Sequence, residues 1–300
     1  MLKIAYHPLY CHPLPLGHRF PMGKYELIPE QLLYEGAISK ENLFEPKPLE
    51  LERILRTHSA DYWAKLEGLK LTRLEERRTG FPLSQRLVDR EVVIARGTYE
   101  AALFAMKYGA AMNVAGGTHH AFADAGEGFC LLNDIAIAAN ELLHEGLAKK
   151  VLVVDLDVHQ GNGTAKIMEN EPRVFTFSMH GATNFPHRKE KSDLDVPLPD
   201  KITDKDYLDI LYKILPDLID QVKPDHVFYL SGVDILATDK LGKLSVSREG
   251  CAQRDRFVLE EVKKRNLPLT VSMGGGYSPQ MADIVNAHCE TFRLVQRIFF

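Results

Sequence analysis

Apolar and polar residues fall in a repeating block pattern along most of this 300-residue chain. Five short β-type runs each end abruptly in polar or glycine-rich sequence. They are Met112 to Ala115 before Gly116-Gly-Thr-His-His120, Val151 to Val154 before Asp155-Leu-Asp-Val-His159, and Val174 to Phe177 before Ser178-Met-His180. The other two are Val227 to Leu230 before Ser231-Gly-Val-Asp234, and Leu269 to Val271 before Ser272-Met-Gly-Gly-Gly-Tyr277. Helical spacing of apolar positions lies between them: Thr98 to Tyr108, Asp134 to His144, Thr203 to Val222 with a kink expected at Pro216, and Arg248 to Arg265. Such alternation predicts an α/β protein with a parallel sheet. The Pro-rich and charged stretches Pro8 to Pro29 and Thr72 to Arg90 read as long surface loops.

In an open parallel sheet, ligands bind beyond the carboxyl ends of the strands. Every polar cluster just named falls there, and the strands come from most of the chain, so one domain over residues 1–300 is expected. Composition narrows the class further. A net charge of -4, and a densest basic tract, Lys263-Lys264-Arg265, that follows Glu260 and Glu261, argue against a nucleic-acid surface. Cys11, Cys130, Cys251 and Cys289 form no C-x-x-C pair, which fits reduced thiols and a cytosolic setting. No signal-peptide core is seen, and no apolar run approaches the roughly 18 residues of a membrane span.

The densest chemistry is Asp155-Leu-Asp-Val-His-Gln-Gly-Asn-Gly163. In extended backbone, residues two apart point the same way, so Asp157 and His159 can converge on one ion. A single Asp after a strand is commonly a cap or turn former. Three alternating ligand types before a Gly-Asn-Gly turn favour a site. Asp157, His159 and Asp234 make an oxygen-rich set of three that leaves a position open for water; zinc fits best, with manganese or iron(II) as alternatives. His119 and His120, on a turn after two glycines, are candidates for acid and base, with Asp155 and Asn162 as orienting partners. Tyr277 follows three glycines, whose freedom lets a phenol reach a ligand. Ser178 and His180 stand at a strand end as either lining or core residues. His7, His12, His18, His58, His144, His187, His226 and His288 fit no ligand spacing. Gly161-Asn-Gly163 misses the dinucleotide fingerprint, since Lys166 stands where its third glycine belongs.

Together GGTHH, GFCLLND, DLDVHQGNG, SGVD followed by DKLGKLS, and GGGY resemble the metal-dependent histone deacetylase family, in order and spacing over nearly the whole chain. The run Gly17 to Tyr25, with Gln160 and Asn162, resembles the class IV branch and its bacterial relatives. The resemblance implies a three-layer arginase-like fold, an eight-stranded parallel sheet flanked by helices. It implies one zinc ion bound by Asp157, His159 and Asp234, with His120 as general base and then acid. His119, oriented by Asp155, would be its electrostatic partner, and Tyr277 would hydrogen-bond the substrate carbonyl. Asn162 stands where many relatives carry Asp. Phe129, after Gly128, would form one wall of an acyl-lysine tunnel and Phe185 the other, with Gly275 and Leu241 also lining it. A monovalent cation such as K+ would use Asp155, Asp157, His159, Ser178 and Met179.

The implied reaction removes an acetyl or longer acyl group from lysine in a protein or peptide. Relatives that grip the substrate backbone use an Asp in the loop before the tandem histidines; around Gly80-Phe-Pro-Leu83 none is found, so loose peptide selectivity is expected. Three rival readings stand beside it. Two-manganese ureohydrolases need an Asp at position 161, which here is Gly161. Acetylpolyamine hydrolases need an acidic gate, which falls here on Leu241, close to Asp239. A non-catalytic acyl-lysine binder has no need of both histidines and the tyrosine together.

Overall fold

The computed structural model describes residues 1–300. Its sheet has eight strands: β1 (Lys3–Ala5), β2 (Leu43–Phe44), β3 (Ala110–Asn113), β4 (Val151–Asp155), β5 (Val174–Gly181), β6 (Leu194–Leu198), β7 (His226–Leu230) and β8 (Leu269–Ser272). All neighbours pair in parallel, in the order β2-β1-β3-β8-β7-β4-β5-β6. Every residue of β3, β4, β7 and β8 is buried, as a sheet covered on both faces requires. The edge strands are the exceptions: β2 has two residues, and β6 carries an exposed Pro197 where no inner ladder could accept it.

The cover comes from α1 (Lys24–Tyr34), α2 (Leu51–Leu55), α3 (Ala60–Glu67), α4 (Arg73–Thr79), α5 (Gln85–Tyr108), α6 (Asp134–His144), α7 (Asn162–Met168), α8 (Asp204–Val222), α9 (Arg248–Lys264) and α10 (Met281–Phe299). Helix α5 packs with α6 and α10 with α9, and both α5 and α10 meet β3; α1 lies on α10 and α8 on α9. One continuous apolar cluster joins sheet and helices. No helix is long and apolar enough to cross a membrane.

The stretches expected to be surface loops are helical in part; residues 11–23 are irregular as expected. Within Pro8 to Pro29, α1 begins at Lys24 and runs through Pro29, because Tyr25, Ile28 and Leu32 are buried and override the proline. Within Thr72 to Arg90, α4 starts at a capping box: Thr72 Oγ1 accepts from Glu75 N, and Glu75 returns the bond to Thr72 N. Its polar sequence offers no apolar stripe, so periodicity could not reveal it. Helix α5 then starts at Gln85, capped by the Ser84 hydroxyl accepting from Leu87 N, thirteen residues before the expected Thr98. Helix α8 continues through Pro216 as one element.

Strand β4 sits between β7 and β5, so Asp155 stands beside Leu230 on one side and Ser178 on the other. Behind these ends lies fully buried Arg254. Its guanidinium pairs with Asp255 (2.7 Å) and donates to the carbonyls of Leu156 (3.2 Å) and Gly232 (2.6 Å), one on each loop that carries a carboxylate of the candidate site. Asp255 also accepts from Tyr229 (2.5 Å) and Thr291 (2.6 Å), tying β7 to α9 and α10. Removing one partner of a buried pair strands the other charge, at a cost of about 3–5 kcal/mol. Arg254→Ala is therefore expected to lower unfolding free energy by about that amount in urea titrations. A change under about 1 kcal/mol would show that the network contributes little.

Candidate active site and metal centre

The site grows out of three neighbouring strand ends. After β4 the chain turns so that Asp157 and His159 face inward, and after β7 it delivers Asp234. These three are the one group of His, Cys, Asp and Glu side chains in ligand geometry, with donor atoms all within 4.8 Å of one another and all buried. His159 Nδ1 lies 3.0 Å from Asp157 Oδ1 and 3.1 Å from Asp234 Oδ2. The outer oxygens are also held: Asp157 Oδ2 accepts from Gly275 N (2.7 Å), and Asp234 Oδ1 accepts from Val158 N (2.9 Å). Only glycine fits at 275, since a Cβ there would strike Asp234 Oδ2 and come within 2.8 Å of Asp157 Oδ2.

Burial and the like charge of Asp157 push Asp234 up to about 7. Burial opposes charge on His159, yet its bonds to Asp157 and Asp234 outweigh this and raise it to about 10. Two buried carboxylates thus draw in a proton on His159 as their counter-charge. A divalent cation satisfies the same two oxygens and the same nitrogen, so the residues present fit a metal of the zinc, iron(II) or manganese type.

The tandem histidines lie beside this cluster, with ring centroids 4.1 Å apart. Their partners differ. His119 Nδ1 is 2.7 Å from Asp155 Oδ2, whereas His120 Nδ1 is 2.6 Å from Asn162 Oδ1. Burial disfavours charge on both, but Asp155 and Asp157 override it at His119 and raise its pKa. At His120 burial is reinforced by His119 and His159, and the pKa falls well below the ordinary imidazole value. The adjacent rings are therefore pushed in opposite directions, His119 toward the imidazolium and His120 toward the neutral imidazole. The turn that carries them is fixed by Asp134, which accepts from Gly117 N (3.2 Å) and Thr118 N (2.8 Å).

Tyr277 faces His159 with centroids 6.4 Å apart. Burial, then Asp234 and Asp157, hold its phenol protonated. Its backbone N–H donates to Asp239 Oδ2 (2.6 Å), and Lys24 Nζ donates to Gly274 O (2.9 Å) behind it. Lys24 is fully buried, and burial lowers its pKa to about 8 against the pull of Asp234 and Asp157.

A pocket of about 340 Å³ leads to His120, His159 and Tyr277, with Phe129, Phe185, Gly128 and Leu241 among its walls. Phe185 packs edge-on to His120 (5.0 Å), and Phe129 lies 5.9 Å from Tyr277. At Gly128 (φ 55°) a Cβ would come within 2.7 Å of His120 Cδ2 and 3.1 Å of Phe185. Three exposed arginines, Arg19, Arg77 and Arg78, line the same pocket. Beneath it, next to Asp157 and Gly275, is a second space of about 30 Å³. Gly275 borders this inner space, against the ligand cluster, alongside the tunnel residues Phe129 and Tyr277. Ser178 Oγ bonds His180 Nδ1 (3.0 Å), which leaves His180 in the core, and Met179 is fully buried behind Asp155.

Three contributors went unread in the sequence. Asp134 and Lys24 sit inside GFCLLND and the Gly17 to Tyr25 run, where a charged residue amid buried neighbours is the available signal. Glu127, whose Oε2 accepts from Asn162 Nδ2 (2.7 Å), left none.

Residues 18–292 match the histone deacetylase domain family. The chain is 43% identical to an uncharacterised protein of a Picosynechococcus strain, over 99% of each. It is 32% identical to histone deacetylase B of Dictyostelium discoideum, over 91% of this chain and 66% of that protein. With histone deacetylase 2 of Arabidopsis thaliana the identity is 28%, over 89% of this chain and 72% of the other. Among solved structures, an HDAC homolog complexed with SAHA superposes with a TM-score of 0.85 at 23% identity, over 99% of this chain and 84% of that one, and so shares the fold.

The cluster geometry predicts one divalent ion per chain by elemental analysis, and its loss in Asp234→Ala. Metal at 100 times its Kd is expected to stabilise the wild type by about 2.7 kcal/mol and to leave Asp234→Ala unmoved. Two ions per chain, or equal stabilisation of both proteins, would contradict the three-ligand site.

Proposed function

Because the chain belongs to the histone deacetylase family, we propose that it hydrolyses acyl-lysine in proteins or peptides, with acetyl as its preferred acyl group. The observation that carries this reading is the convergence, at the floor of one aromatic-walled pocket, of the ligand cluster, a neutral His120 and a protonated Tyr277. Zinc is the metal of this reading, held by Asp157, His159 and Asp234, and supplies Lewis acidity toward water and a carbonyl oxygen. The class IV branch also belongs to it, on Gly17 to Tyr25, Gln160 and Asn162. So does a K+ ion held by Asp155, Asp157, His159, Ser178 and Met179, which the placement of Ser178 opposite Asp155 supports.

The acyl-lysine side chain lies between Phe129 and Phe185, whose faces exclude water from its methylenes. His120 takes a proton from the attacking water as the new C–O bond forms. Tyr277 O–H donates to the carbonyl oxygen as negative charge develops there. His119, held by Asp155 and biased toward its charged form, adds to burial in disfavouring protonation of His120 before water attacks. His120 then gives its proton to the departing nitrogen, the C–N bond breaks, and a carboxylate and a lysine amine leave.

Two features favour this substrate over acetylated polyamines. Asp239 is occupied, since Oδ1 accepts from Leu241 N and Gly242 N (both 2.8 Å) while Oδ2 holds Tyr277 N, so no free carboxylate awaits a cationic amine. The pocket's exposed lining is cationic, with Arg19 over the Phe129 ring at 5.0 Å. A short acyl group is favoured by the small space of about 30 Å³ beside Asp157 and Gly275, room for a methyl group.

On a panel of lysine peptides, acetyl is expected to outrun myristoyl, and acidic flanking residues to outrun basic ones. Acetylspermidine turning over faster than any peptide would transfer the assignment to small amines. Tyr277→Phe is expected to keep its metal and lose about 10²–10³ in turnover. The acid limb of kcat/KM is expected below the ordinary histidine value of about 6.5, because His120 must be neutral to act and its pKa is depressed. An acid limb above that value would assign the base elsewhere.

A further inference from the structure

An asparagine is an ambiguous partner for a general base. Its amide can be turned through half a circle, presenting either Oδ1 or Nδ2 to the same neighbour. If Oδ1 faces His120 Nδ1, that nitrogen carries the proton, and Nε2 keeps the lone pair a base needs. If Nδ2 faces it, Nδ1 becomes the acceptor, the proton sits on Nε2, and the ring cannot take another from water. Asn162 makes two side-chain bonds, to His120 Nδ1 (2.6 Å) and to Glu127 Oε2 (2.7 Å).

Glu127 resolves the ambiguity. Its other oxygen accepts from Arg78 Nε (3.0 Å), and a carboxylate held against a guanidinium offers only acceptors. Facing it, Asn162 must present Nδ2, so Oδ1 is forced toward His120. The carboxylate is itself rigidly placed. Glu127 and Cys130 exchange backbone bonds (3.0 and 2.9 Å) across Gly128 and Phe129, both left-handed at φ 55° and 67°. That is a two-residue turn with little freedom, and it fixes the tunnel wall Phe129 and the acceptor Glu127 as one piece.

We infer that Glu127 is a positioning residue that sets the tautomer of His120 through the amide of Asn162. The inference rests on the proposed role of His120 as base, but its first consequence, the tautomer, is measurable without turnover. Nitrogen-15 shifts of the imidazoles in the zinc-loaded protein are expected to show His120 protonated at Nδ1 in the wild type, and a substantial Nε2–H population in Glu127→Gln. In the same variant kcat falls about tenfold or more, part of the roughly 10²–10⁴ a positioned base contributes, while KM stays within about twofold.

Adding Asn162→Asp to Glu127→Gln places a carboxylate directly on Nδ1, with the new glutamine amide able to donate to it. The double variant is expected to regain the Nδ1–H form and to return to within about threefold of wild-type kcat. A tautomer unchanged by Glu127→Gln, in protein whose melting temperature shows it folded, overturns the inference, as does a double variant no better than the single. A tautomer that shifts as expected in a protein inactive on every acyl-lysine peptide leaves the inference standing and removes the proposed function.

Discussion

Two carboxylates, Asp157 and Asp234, are drawn out of water at the ends of adjacent strands β4 and β7, close enough to share one imidazole nitrogen. Isolated, such a pair would be too costly to bury. It persists because every oxygen is answered, by Gly275 N–H, Val158 N–H, His159 N–H and the His159 ring. The surrounding architecture serves that arrangement. Parallel pairing sets the two ends side by side, Arg254 holds the carbonyls of both loops from behind, and glycines at 232 and 275 leave the room that a Cβ would take from Asp157 and Asp234.

The same demand explains which parts of the site were legible in the sequence. Spacing in an extended strand end places Asp157 and His159 on one face, and the abrupt apolar-to-polar boundary at Leu230 brings Asp234 forward. Both are local signals backed by short-range geometry. The tandem histidines and their partners Asp155 and Asn162 follow from the same strand-end rule. The sheet's inner strands were legible for the reason that they are buried: their apolar runs are continuous. Short β1 and β2 carry too few residues to register and find their pairing only through chain more than 35 residues away, while the five-residue edge strand β6 is mostly half-exposed and holds Pro197, so it offers no continuous apolar run. Helices α1 and α4 are hidden by prolines and by a sequence whose one apolar residue, Leu74, faces solvent, respectively. Hence the pocket's cationic lining at Arg77 and Arg78 was read as loop.

Lys24 and Glu127 show a different limit. Neither has a spacing that marks it. Lys24 acts on Gly274, 250 positions away, and Glu127 acts on Asn162, 35 away, so their contributions exist only once the sheet has assembled. For Lys24 composition shows a weaker sign, a charged residue inside an apolar segment, where burial requires that a partner be found.

Neighbouring charges then settle chemistry that residue identity leaves open. His119 and His120 are the same residue type, neighbours along the chain and tilted against each other in the same buried space, yet one is driven to hold a proton and the other to shed it. Part of the cause is a difference between partners, a carboxylate at Asp155 against an amide at Asn162, added to burial and to the charges of Asp157 and His159. With a carboxylate at both positions, the two rings would compete for protons on nearly equal terms. With an amide alone at the second, the orientation of His120 would be undecided. Displacing the second carboxylate outward by one residue, to Glu127, keeps its directing effect on hydrogen bonding. It also keeps its charge one residue further from His120, whose pKa stays depressed beside His119.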